Sequence, residues 1–166
     1  ITRERVRQIE EVGFSFVKKQ NKDILDKTFG DFVSYFEGNG GFKKEDVAIE
    51  EIGGQNTKPY VLFLLTLGEQ FSRVCEKKDF YSFWSTIQNP EVKIKETLAA
   101  LIKDVKIHGI PLFKKDFSDS FTLKSKLSKE VLLSYLQISK KIQENREGKI
   151  GLIDWPEIKP RGVRDR

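Results

Sequence analysis

Residues 71–84 read Phe-Ser-Arg-Val-Cys-Glu-Lys-Lys-Asp-Phe-Tyr-Ser-Phe-Trp. Two β-prone runs, Phe71 to Glu76 and Phe80 to Trp84, flank the polar break Lys77-Lys78-Asp79, which is the pattern of a β-hairpin. What precedes it is helical. Leu25, Phe29, Phe32 or Val33, and Phe36 recur at helical spacing between Asp23 and Glu37. Gly30 interrupts that helix at a cost of up to ~1 kcal/mol against Ala and leaves room for a close neighbour. Gly38-Asn39-Gly40-Gly41 stops it. A short helix is expected from Lys43 to Ile52, closed by Gly53-Gly54. Thr57-Lys58-Pro59 then opens a third element, because a proline in the first turn loses no intrahelical donor. Its continuation, YVLFLLTL, is apolar on every side, and periodicity leaves a buried strand open. The Thr57 cap and Gly68 favour helix. The hairpin aromatics are expected to cover these apolar helices, not to stack on bases.

The second half repeats the plan. Asn89-Pro90-Glu91 is a helix start, and Ile94, Leu98, Leu101, Ile102 and Val105 form one apolar stripe. Gly109 is the expected left-handed cap, with His108 beside it. Residues 112–126 are expected to form a short helix and a loop. Ser128 caps a helix over Lys129 to Leu136. Ile138–Glu144 and Lys149–Trp155 flank Asn145-Arg146-Glu147-Gly148 as a second hairpin. The order of helices followed by a small wing is the winged-helix pattern. The expected fold is therefore mainly α with small β-hairpins (α+β): tandem winged-helix-like units over 21–88 and 89–155, preceded by an N-terminal helix over 1–20. Pro156 and Pro160 favour extended chain, so 156–166 reads as a linker.

The opening stretch, Ile1 to Glu10, carries the chemistry. Thr2 can cap a helix, and Val6, Ile9, Gly13 and Phe16 then share one side. Arg3, Arg7, Glu4 and Gln8 share another, with Arg5 beside them. Arginine pairs bidentately with guanine, glutamine with adenine, and a carboxylate accepts from the cytosine amino group. A solvated, ion-paired helix face is the bland alternative.

The run Thr2-Arg3-Glu4-Arg5-Val6-Arg7-Gln8-Ile9-Glu10 closely resembles the recognition helix of the fourth region of bacterial housekeeping sigma factors. The resemblance implies that this helix enters the major groove. By position, Arg3, Glu4, Arg7 and Gln8 match base-reading and phosphate-contacting residues, Arg5 a flanking basic residue, and Val6 and Ile9 the inward side. It covers about ten residues, and from Val12 the sequence departs from that family. A helix-turn-helix needs a first helix, so the chain is expected to be a piece of a longer protein. Residues 155–166 resemble the entry into a HARE-type helix-turn-helix domain, which implies a further winged domain after this one.

The formal net charge is +5, and it sits at the ends: residues 1–20 are net +2, residues 140–166 net +3, and the interior balances. A positive end favours phosphate through counterion release. One cysteine, Cys75, makes no internal disulfide and fits a reducing cytoplasm. No apolar run is long enough to span a membrane. With one His and one Cys there is no zinc-type cluster, and no P-loop, G-x-S-x-G or H-E-x-x-H pattern occurs. No enzymatic activity, cofactor or metal is expected. Two functions remain. One is a DNA-binding transcription regulator, with Arg3, Glu4, Arg5, Arg7 and Gln8 reading double-stranded DNA and Lys77, Lys78, Arg146 and Lys149 on the wings holding phosphate. The other is a protein-interaction adaptor that binds RNA polymerase or a second copy.

Overall fold

A computed structural model of the chain describes residues 2–54 and 56–160. Ile1, the first residue of the sigma-like stretch, and residues 161–166 of the expected linker lie outside the described residues. The fold is mainly α with small antiparallel sheets, an α+β arrangement of seven helices and six short strands among the described residues.

The chain begins with α1 (Arg3–Gln20) and α2 (Lys22–Gly38), which meet at Asn21. Leu25, Phe29, Phe32 and Phe36 are the buried face of α2, as their spacing requires. The turn after α2 needs glycine. Gly40 and Gly41 stand at φ +87° and +84°, and a Cβ on Gly41 would sit 2.7 Å from Ile87. The chain leaves that turn as β1 (Phe42–Lys44), a strand where helix is expected from Lys43. Helix α3 (Glu45–Gly53) starts only after it. Next come α4 (Lys58–Leu67), β2 (Ser72–Val74) and β3 (Phe83–Ser85). YVLFLLTL is thus a helix. It is not covered on every side, since Tyr60, Leu62 and Phe63 are exposed. Thr57 supplies no side-chain cap; its hydroxyl donates to the Gly53 carbonyl.

The second unit runs α5 (Pro90–His108), β4 (Leu112–Phe113), α6 (Lys114–Ser125), α7 (Lys129–Ile138), β5 (Ile142–Glu144) and β6 (Lys149–Leu152). Gly109 ends α5 at φ 81°, the left-handed cap read from the sequence. Asn89 starts the helix by its own left-handed backbone, φ 49°, with no side-chain cap bond. Ser128 does cap α7, accepting the Val131 N–H. In each unit the last strand is central: the sheet orders are β1-β3-β2 and β4-β6-β5.

The first sheet joins the two units. Trp84 of β3 pairs across with Lys43 and Arg73, so these three share a face. Trp84 enters the core of α2, α3 and α4 with Phe36, Leu65 and Phe71. Its neighbour Phe83 faces the other way. With Phe42, Val74 and Phe80 it enters a core made chiefly by the second unit, with Leu98, Phe117, Leu132 and Ile138. Phe42 meets Tyr135 of α7 edge-on at 4.8 Å between ring centres. A Cβ on Gly40 would lie 2.8 Å from Val131 of α7, so only glycine fits this approach.

The first hairpin therefore does not project as read. Phe80 leaves the strand and bridges to Ser139, and the Tyr81 N–H donates to the Ile138 carbonyl at 2.8 Å. The loop 75–82 lies on the second unit. At the other end, residues 155–159 turn back where extended chain is expected: the Ile158 N–H donates to Trp155 O at 3.0 Å and Ile158 is buried. Because Phe83 is 0% exposed in the shared core, Phe83→Ala is expected to cost about 3–5 kcal/mol. In urea, tryptophan fluorescence and far-UV circular dichroism are expected to shift together; separate transitions for the two units would contradict a shared core.

Candidate nucleic-acid interface

Helix α1 has 18 residues, none of them buried. It is ~27 Å long at 1.5 Å per residue. Residues 2–13 are all exposed, and the body partly covers only Phe14, Val17 and Lys18. Phe14 stacks edge-to-face on Phe63 of α4 at 6.0 Å, and Lys18 pairs with Glu69 at 2.6 Å. The C-terminal half is thus the anchor and the N-terminal half stands clear. Val6, Ile9 and Phe16, read as a docking stripe, are exposed; docking uses Val17, at the edge of that stripe, and Phe14, turned away from it.

Thr2 caps the helix by accepting the Arg5 N–H at 3.3 Å. Arg7 sits at the centre of a network. Its guanidinium donates to both carboxylate oxygens of Glu4, at 3.1 and 2.8 Å, and to Glu11 at 2.9 Å. The Gln8 amide donates to Glu4 at 3.3 Å, and Arg5 donates to Gln8 Oε1 at 3.4 Å. Arg3 is exposed and makes no ion pair among the described residues. The hydrogen bonds from Arg7 hold the Glu4 carboxyl below its usual range, and Glu4 and Glu11 raise Arg7 in turn. Solvent-exposed pairs of this kind contribute little to stability and exchange readily for another partner. Four of the five candidate residues of α1, Glu4, Arg5, Arg7 and Gln8, thus form one exposed, self-satisfied polar group with two forked cations and an amide, and Arg3 stands beside it.

The wing candidates are elsewhere, and no hydrogen bond or ion pair among the described residues joins them to α1. Lys77 is paired with Glu91 of α5, and Lys140 and Lys141 of the second unit hold Glu76 and Asp79. Lys149 pairs with Glu147 at 2.9 Å and lies over the Phe113 ring. Lys78 and Arg146 are exposed and make no ion pair among the described residues. Two of the four wing cations are therefore committed to carboxylates and two are open to an anion.

The third helix of neither unit offers a polar reading face. The outward side of α4 carries Tyr60, Leu62 and Phe63, and its one cation, Lys58, meets Glu50 at 3.5 Å. Helix α7 lies against β1 through Tyr135 and Val131. The apolar outer face of α4 is the feature that sequence reading missed. Its all-apolar pattern hides which side the body leaves open. His108 is exposed beside the α5 cap, its ring 6.2 Å from Phe121. Among the described residues no group of three His, Cys, Asp or Glu could hold a metal, and no helix is long and apolar enough to cross a membrane.

No protein-family model matches the chain. Comparison with curated proteins and with solved structures gives no match either.

The depressed Glu4 carboxyl sets a pH dependence. A lowered folded value means the stabilisation is present above the unfolded value of 4.5 and is lost as pH falls through the lower folded value. In an acid titration followed by circular dichroism, α1 helicity is expected to persist to lower pH than in Arg7→Ala. Coincident curves would show that the Glu4–Arg7 pair contributes nothing.

Proposed function

We propose that this chain belongs to a non-enzymatic, cytoplasmic DNA-binding transcription regulator of sigma-like type, in which the polar face of α1 reads the major groove of promoter-type DNA. The observation that carries the reading is the state of Arg3, Glu4, Arg7 and Gln8. They stand in the order of a sigma-type recognition helix, on a capped helix that leaves the body, with every one of them exposed. A helix that reads base edges must have that freedom, because the major groove is only wide enough for a helix unencumbered on the side that enters it. The guanidinium of Arg7 already makes a two-pronged contact with Glu4, which is the geometry it would present to guanine O6 and N7.

Each unit runs helix, strand, helix, helix, strand, strand with the last strand central, which supports a winged-helix-like reading although helices followed by a hairpin were the order expected. In this reading the two units act as a scaffold. Their third helices are occupied or apolar, and Lys78 and Arg146 are the backbone contacts. A second reading, that of an adaptor for RNA polymerase or another protein, is favoured by the exposed Tyr60, Leu62 and Phe63 of α4. Large exposed apolar and aromatic side chains of that kind are enriched where proteins meet other proteins.

The test is selection of bound duplexes from a randomised library, followed by competition with single-base variants. Arg7→Ala or Gln8→Ala is expected to relax preference at one base position by about ten- to a hundredfold, and Arg146→Ala to lower affinity evenly across sequences. An even loss from the Arg7 and Gln8 changes, or no loss, would contradict base readout by α1.

A further inference from the structure

The exposed apolar side of α1, whose Val6 and Ile9 the sigma resemblance would turn inward, has a second pattern. Val6, Ile9, Gly13 and Phe16 are spaced three, four and three residues apart, which are the a, d, a and d positions of a heptad. Val6 is 45%, Ile9 56% and Phe16 63% exposed, so this seam is open in the single chain. A helix whose first three turns touch nothing is marginal in water, because propagation alone hardly offsets nucleation at this length. The same heptad assignment places Arg5 at g and Glu10 at e. In a parallel two-stranded coil, a g residue lies beside the e residue five positions further along its partner. Arg5 and Glu10 are five positions apart and of opposite charge. Among the described residues neither is in an ion pair, and the Arg5 guanidinium donates only to Gln8.

We propose that α1 pairs with α1 of a second copy of this chain as a short parallel coil, with Val6, Ile9, Gly13 and Phe16 in the seam and Arg5 of each copy against Glu10 of the other. Gly13 at the inner a position lets the helices approach closely. Glu4, Arg7, Gln8 and Glu11 fall at b, c and f, away from the seam, and stay open, while Arg3 falls at e, beside it. Phe14, Val17 and Lys18 stay on the body. The pairing does not depend on DNA reading.

Sedimentation velocity over a rising concentration series, with circular dichroism at the same concentrations, tests it. The sedimenting mass is expected to rise from 19.2 kDa toward twice that value, with helix signal rising alongside. Ile9→Asp is expected to abolish the dimer and leave the melting of the body unchanged, since Ile9 is outside both cores. Arg5→Glu weakens association by about tenfold, and adding Glu10→Arg restores it. A chain that stays monomeric, a dimer indifferent to Ile9→Asp, or a double variant that fails to recover would each overturn the proposal. Unchanged base preference in Arg7 or Gln8 variants that still dimerise would defeat the groove reading and leave this one standing.

Discussion

The architecture depends on a three-stranded sheet with an apolar core on each face. Strand β3 turns Trp84 into the helices of the first unit and Phe83 into the second, and the alternation of a strand makes both possible from adjacent residues. Most small antiparallel sheets have one face in solvent. Here Phe42, Val74, Phe80 and Phe83 are all buried against a neighbour contributed by residues 90–152. Gly40 has to be glycine because α7 lies against the turn that leads into this sheet. Two units that look separable along the chain are thus held by aromatic packing at their junction.

That junction decides which surfaces remain for function. It occupies α7 and the loop 75–82, which the winged-helix reading makes the reading helix of one unit and the wing of the other. The Phe14–Phe63 contact anchors α1 and partly occupies α4. What stays outside is the N-terminal half of α1, with a polar group of Glu4, Arg7 and Gln8 on one side and an apolar seam on another. One helix can present a different partner to each because its positions spread at about 100° per residue.

The parts of the fold set by local pattern were legible in the sequence. The Phe29–Phe32–Phe36 stripe marks α2, Pro90 and Gly109 bound α5, and Ser128 caps α7, because each is decided within one or two turns of chain. The strands β1 and β4 were not. They have three and two residues, too few for alternation to register, and they exist because a partner distant in sequence pairs with them. Phe80 and Tyr81 have strand propensity but are drawn onto the end of α7, a long-range contact that overrides propensity. At the candidate interface, the exposure of Arg3, Arg7 and Gln8 was legible from their charge and amide. The exposure of Val6, Ile9 and Tyr60 was not, since an apolar side chain carries no mark of whether its side of a helix has a neighbour.

The claim that matters most is that the free end of α1 holds duplex DNA. It is tested by measuring affinity against salt concentration for the chain and for an Arg3→Ala, Arg5→Ala, Arg7→Ala variant. If these cations neutralise phosphates, the logarithm of affinity falls linearly with the logarithm of salt, and the variant's slope is shallower by roughly 0.9 for each phosphate contact removed. Equal slopes for the two proteins, or an affinity that salt leaves unchanged, would place any DNA contact somewhere other than this helix.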